Sequence, residues 1–438
     1  MRRLSRRFGV RRLTAVAGAG ALLSAGLGAA AASAAVGAPS AVAGPPATSV
    51  VLSPCGIKYA AGNLYIGAGD AVYKVSEGTG RATSIAPGRL SPVPYLDPQA
   101  CGVAVDGAGN VLVANGPDVV AVAAKTGTFY GRRMTAGNVY QVVTGFPAVS
   151  GAVDVQLDPS GNLVIAVGGD RASHTDNESD SQIFVLAERA GTFYGKKMAK
   201  GKLYLIAGVL NGGAVPPCDG SDAAAAAGAA ATADAATADA ATKAIQANLG
   251  YTIGSLRFDA AGNIILADSA GDGTGACGAS WDIPPRVAVI PARTGAYYGQ
   301  KMTVGYIYAI AGLGAKTGNG VPAVDSDLTE VTGVAVDHAG NILVAAISSA
   351  DPLGGVRVIA ATTGTFYGQK MRKGDIYALP GLAYADTLAV DNAGNVLVGE
   401  NNYYFRVQML AVKTGAYYGV KARAGRVYTI AGNGKPPL

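Results

Sequence analysis

Gly102-Val-Ala-Val-Asp106-Gly-Ala-Gly109-Asn110-Val-Leu-Val113, followed by Val119-Val-Ala-Val122 and Thr126-Gly127-Thr-Phe-Tyr130-Gly131, is the stretch on which the fold turns. Short apolar runs flank an Asp-x-x-Gly-Asn turn. Aspartate bonds the backbone of its own turn, and glycine takes the positive φ that a bulged hairpin needs. The turn recurs at Asp158/Gly161/Asn162, Asp259/Gly262/Asn263, Asp337/Gly340/Asn341 and Asp391/Gly394/Asn395, after a degenerate copy at Gly62-Asn63. The second half recurs as closely. Tyr130, Tyr194, Tyr298, Tyr367 and Tyr418 each precede a glycine, and each has another tyrosine ten residues on.

Unit boundaries fall near 51–93, 99–145, 150–208, 250–312, 328–381 and 383–432. Each unit predicts four short strands, a to d. A lone four-stranded sheet of this length leaves both faces open, whereas stacking such sheets around an axis buries them and leaves few edges. The expected fold is all-β, a six-bladed propeller of four-stranded antiparallel blades. A β-sandwich or a β-solenoid is the alternative. The units lack the 3.6-residue apolar period of long helices. The stretch Ser49-Val-Val-Leu52 is a candidate extra strand for the last blade.

These motifs resemble the NHL repeat, especially a group of secreted bacterial propeller proteins whose blades read Val-Ala-Val-Asp-x-x-Gly-Asn…Thr-Gly-Thr-Phe-Tyr-Gly…Met…Gly-x-x-Tyr-x-Ile-Ala-Gly. The resemblance covers about residues 51 to 432. It implies the architecture and leaves activity open, because that fold carries binding modules, scaffolds and several enzymes.

Residues 1–34 read as an export signal: a basic start, an uncharged Ala/Gly/Leu stretch, then Ala32-Ser33-Ala34 as a cleavage pattern. Ser5-Arg6-Arg7-Phe8 is a partial twin-arginine pattern without the usual spacing, which favours the general secretory route. A retained membrane anchor is the competing reading. An Ala/Pro-rich linker is expected over 35–48, then the propeller over 49–438 with an Ala-rich insert over 209–250. Six of the 35 Lys and Arg precede residue 35, where no acidic residue lies; the rest equal the 29 Asp and Glu. The net charge of the remaining chain therefore gives no support to nucleic-acid or anionic-membrane binding.

Four cysteines in an exported chain favour two disulfides, with three possible pairings. Cys55–Cys101 and Cys218–Cys277 are preferred on the propeller reading. Cys55 and Cys101 precede the a strands of neighbouring blades, and Cys218 and Cys277 lie in excursions on one face. Length variation concentrates on that b–c and d–a face: 168–181, 269–285, 348–355 and the 209–250 insert. Variable loops on a repeated frame are where binding sites usually lie.

No catalytic residue is assigned. His338 sits in an a–b turn, and His174 lies in an acidic loop. That loop offers Asp170, Asp176, Glu178 and Asp180 as oxygen ligands for calcium, without a complete calcium-loop pattern. Asp268, Asp272 and Asp282 are the carboxylates left for a glycosidase. Twelve of the 21 tyrosines fill repeated slots, which points to blade packing. Trp281, Tyr403, Tyr404 and Phe405 fall outside those slots and are the candidate contact residues. The expected function is a secreted, monomeric binding or scaffold module for an extracellular protein, peptide or glycan. It would need no cofactor, with calcium as the one candidate, and would bind neither nucleic acid nor, after signal cleavage, membrane. The alternatives are a secreted metal-assisted lyase or hydrolase working at the propeller axis, and a purely structural envelope protein.

Overall fold

The computed structural model describes residues 44–68, 71–85, 102–146, 151–168, 181–208, 242–247, 249–250, 252–269, 285–348, 351–401 and 403–436. They form six antiparallel blades, four of four strands and two with a fifth strand added. The innermost strands are Gly56–Ala60, Val103–Val105, Ala152–Leu157, Thr252–Phe258, Glu330–Val336 and Thr387–Val390. Each touches the next, and the sixth touches the first, which closes the ring. Helix among the described residues is limited to three short 3₁₀ turns.

Strand alternation explains why the sheets need one another. Successive side chains point to opposite faces. In the second strand of blade three, Leu163 and Ile165 pack toward blade two, whereas Val164 and Ala166 pack toward blade four. Buried apolar clusters form in this way at all six blade junctions. Every blade thus supplies half of two cores and completes neither alone.

The repeated turn is a polar knot. Asp106 Oδ1 accepts from the N–H groups of Ala108 and Asn110, at 2.9 and 2.8 Å. Its Oδ2 accepts from Asn110 Nδ2 and from the Tyr130 hydroxyl. Asn110 is fully buried, and its Oδ1 accepts from Ala124 N–H in the following connector. The same contacts recur around Asp158, Asp259, Asp337 and Asp391. Blade one lacks the aspartate. Ala60 faces Asn63 where Asp106 faces Asn110 in blade two, and the hydroxyl of the preceding Tyr59 donates to Glu77.

The c–d connectors are small two-stranded hairpins such as Gly127–Phe129 with Arg132–Met134. Tyr130 (φ 51°) and Gly131 (φ 73°) form their two-residue turn, the left-handed pair that matches strand twist. The second tyrosine of each unit also has a structural task, since the Tyr140 hydroxyl accepts from Thr135 N–H.

Ring closure differs from the expectation for Ser49–Leu52. Pro46 bridges Arg81 on the outer edge of blade one. Residues Ala47–Ser49 then form a 3₁₀ turn. Ala47 N–H donates to Gly80 O of blade one, and Gly432 N–H at the end of blade six donates to Ala47 O. The segment therefore staples the last blade to the first and adds no strand to the last. The same staple recurs at two other junctions. Ala244 links Gly208 to Gly305, and Ala323 links Gly312 to Gly374. Each is preceded by a two-residue strand, Thr242–Lys243 or Val321–Pro322. The end of the expected 209–250 insert is thus part of the frame; residues 209–241 lie outside the described residues. The expected excursion at 348–355 is also absent, because strands Ile342–Ser348 and Asp351–Ile359 continue through it and pair Ser348 with Asp351.

Burial and the neighbouring Asp158 hold the Tyr194 phenol well above its ordinary value of 10.0. Above about pH 10 the unfolded chain loses phenolic protons that the native state retains, so stability falls as pH rises. Tyr194→Phe is expected to cost about 1–2 kcal/mol at neutral pH and to shrink this alkaline loss, both read from urea unfolding.

Candidate functional site

The axis is crossed by side chains of the chain itself. In blades two, five and six the inner strands are apolar or small where blades three and four place Asp154, Gln156 and Arg257. Arg257 Nη1 donates to Asp154 Oδ2 at 3.0 Å, and Nη2 donates to the carbonyls of Ile57 and Leu388 at 3.3 and 3.2 Å. One guanidinium therefore ties blade four to blades one, three and six. Lys58 Nζ donates to Gln156 Oε1 at 2.9 Å, and Gln156 Nε2 donates to Val103 O in blade two. Asp154 also accepts from the N–H groups of Val155 and Leu256. It fits because residue 102 is glycine; a Cβ there would lie 2.1 Å from Asp154 Oδ1.

This cross-brace bears on axial metal chemistry. It contains one carboxylate and two cations, and Asp154 accepts from Arg257, from Gln156 Nε2 and from the N–H groups of Val155 and Leu256. A divalent cation there would meet Arg257 and Lys58 as like charges. Among the described residues no three His, Cys, Asp or Glu side chains gather as a metal set. Desolvation, and then Arg257, lower the Lys58 ammonium to about 8, against the pull of Asp154.

On the b–c and d–a face the structure assembles an aromatic cluster. Tyr384 follows the outer strand of blade five, and Tyr403 and Tyr404 join the second and third strands of blade six. Their rings meet at 5.0 Å (Tyr384–Tyr403) and 5.2 Å (Tyr384–Tyr404). Tyr403 is 69% exposed and Tyr404 39%. Tyr384 (φ 57°) and Phe405 (φ 44°) hold left-handed backbone, a cost that non-glycine residues bear only when their surroundings impose it.

The cluster has a charged but neutralised support. The Arg406 guanidinium lies 4.5 Å from the Tyr404 ring centre. Its Nε donates to Glu400 Oε2 at 2.7 Å, across directly paired strand ends. Burial raises the Glu400 carboxyl, and Arg406 draws it back. Asp386, beside Tyr384, accepts from Asn401 N–H at 2.6 Å. Ser53, upstream of the first blade, donates to Asn401 Oδ1. The platform is therefore fixed to three segments of chain.

Of the residues singled out in the sequence, Tyr403 and Tyr404 come together and Phe405 shapes the turn beneath them. Tyr384 was missed, because no repeat slot marks it and it joins the group only across a blade junction. Trp281, His174, Asp170, Asp176, Glu178, Asp180, Asp272 and Asp282 lie outside the described residues, as do Cys101, Cys218 and Cys277. Asp268 is committed to the frame, where it accepts from Arg286 Nε at 2.8 Å and from Gly250 N–H. His338 is an exposed turn residue.

No protein-family model matches this chain, and no curated protein matches it. Solved structures do. A Bacteroides thetaiotaomicron protein of unknown function aligns at TM-score 0.42 and 12% identity over 81% of this chain and 68% of its own. Regucalcin from Agrobacterium tumefaciens, a calcium-binding protein, aligns at 0.40 and 13% over 88% and 93%. A gluconolactonase from Xanthomonas campestris aligns at 0.38 and 13% over 77% and 79%. None of these likenesses assigns this chain an activity.

Arg257→Met strands Asp154 in the interior and is expected to cost about 3–5 kcal/mol in urea unfolding. Lys58 binds its proton less tightly in the native state than in the unfolded chain. Stability from this group therefore rises with pH between about 8 and the ordinary 10.5. In Lys58→Met that rise is expected to vanish.

Proposed function

We propose that this chain is an exported NHL-type propeller that acts as a binding or scaffold module, taking a protein, peptide or glycan on its b–c and d–a face. The observation that carries this reading is the Tyr384–Tyr403–Tyr404 cluster. Two of its rings, Tyr403 and Tyr404, are exposed, left-handed backbone at Tyr384 and Phe405 shapes it, and the blade repeat does not demand its residues. Rigid aromatic anchors of this kind give large contact area at low entropic cost. The cross-brace at the axis supports the same reading, because it places cations and bonded groups where the lyase or hydrolase alternative needs free carboxylates and a metal.

On this proposal residues 1–34 are the export signal, 35–48 a linker, and the mature chain is a monomer outside the cytoplasm that binds neither nucleic acid nor membrane. Calcium at Asp170, Asp176, Glu178 and Asp180 is the one cofactor proposed, with Trp281 as a second contact on the same face. The pairings Cys55–Cys101 and Cys218–Cys277 complete the proposal. Peptide mapping without reductant is expected to return these two pairs, and a Cys101–Cys218 peptide would reject them.

The test of function is binding of the mature chain to glycan and peptide arrays, repeated with Tyr403→Ala and Tyr404→Ala. The expected result is a ligand whose affinity falls about tenfold or more in each variant while thermal unfolding stays unchanged. A ligand set indifferent to both substitutions would overturn the assignment. Turnover of a sugar lactone or glycoside that stops on chelation would favour the enzyme instead.

A further inference from the structure

We infer that the opposite face of the propeller, built from the c–d hairpins, is a docking surface for an anionic polysaccharide. The inference goes beyond the binding reading above and uses none of its residues. It begins with where the fold places charge. The five connectors at 124–138, 188–202, 292–306, 361–375 and 412–426 hold seventeen Lys and Arg, every one of them exposed. Lys197 and Lys200 in blade three and Lys421 and Arg423 in blade six are examples. Only two acidic residues lie in those five segments. Asp375 is buried and paired with Arg372, and Glu188 has its carboxyl raised by burial.

The fold gathers these cations on one side. Each hairpin is tied to the a–b turn of its own blade by the tyrosine–aspartate and asparagine–backbone bonds. The a–b turns share that face, and their aspartates are committed to the same knots. The chain beyond the leader is neutral in sum, yet this face is strongly positive. Such segregation raises the local concentration of anions and steers them inward.

The occupant follows from what accompanies the cations. A lipid surface calls for apolar side chains that enter it, and nucleic acid for exposed rings on which bases stack. Tyr130, Tyr194, Tyr298, Tyr367 and Tyr418 are committed inward to aspartates, Tyr297 and Tyr417 pack against the blade cores, and among the described residues of the five connectors no large apolar side chain is exposed. Thr, Gly and Ala stand between the cations instead. A linear polymer with a charge on each repeat can touch successive blades at once, and linked weak contacts multiply.

Binding of the intact mature chain to alginate, a polyuronate, tests this. The expected result is binding that weakens steeply between about 50 and 500 mM salt through counterion release. The quadruple variant Lys197→Gln, Lys200→Gln, Lys421→Gln, Arg423→Gln should bind roughly tenfold or more weakly. Its salt slope should be shallower by about one for each cation that touches the polymer. The milder pair Arg293→Gln, Lys301→Gln should show a smaller loss and covers the case in which the quadruple variant folds poorly. Tyr403→Ala should bind alginate as the parent does, which separates this surface from the aromatic platform. Equal binding by the pair and the quadruple variant to that of the parent would overturn the inference. So would equal binding of neutral dextran, or tighter binding of duplex DNA or of phosphatidylglycerol vesicles.

Discussion

A carboxylate shared by four donors holds each of the last five blades in shape. Asp106 and its four counterparts take two backbone N–H groups, an asparagine amide and a tyrosine hydroxyl. The asparagines are buried in all five knots, so leaving their amides unpaired would cost more than the bond itself contributes. The knot fixes the a–b turn, and the tyrosine fixes the c–d hairpin above it. With both set, the four strands run in register and the apolar alternation falls toward the neighbouring blades. The ring, the staples and both faces follow from that register.

The three polar systems differ in what they leave available. The turn knots and the axial cross-brace satisfy their own groups, so they stabilise the frame and offer little to a ligand. The tyrosine platform is the reverse. Its support, Arg406 on Glu400, is closed, but Tyr403 and Tyr404 are exposed to solvent. The basic hairpins are open in another way, with long cationic side chains on a rigid repeated mount. Rigidity in the frame is what makes sparse surface groups usable, because a ligand need not order the loops that hold them.

Much of this was legible in the chain. Five Asp-x-x-Gly-Asn turns and the degenerate Gly62-Asn63 marked six units, and the recurrence of Tyr130 and Tyr140 in later units marked them as packing residues. The polar interruptions Asp154, Gln156 and Arg257 in otherwise apolar inner strands were visible too, though not their purpose. Arg257 meets Ile57 and Leu388, 200 and 131 residues away in sequence. No local pattern encodes such a meeting. Ring closure stayed open in the sequence, with Ser49–Leu52 only a candidate strand, for a related reason: the staple at Ala47 is three residues long and is defined by partners in two different blades.

The sequence by itself determined the blade, because turn chemistry and strand alternation act between residues within about fifty positions of one another. Only the tertiary structure decided what lies beside what around the ring: the plugged axis, the Tyr384–Tyr403–Tyr404 platform, and the gathering of cations on one face of a chain whose charges balance after residue 34. Those juxtapositions arise from closure, which brings distant segments together through apolar burial that carries no sequence-local signature.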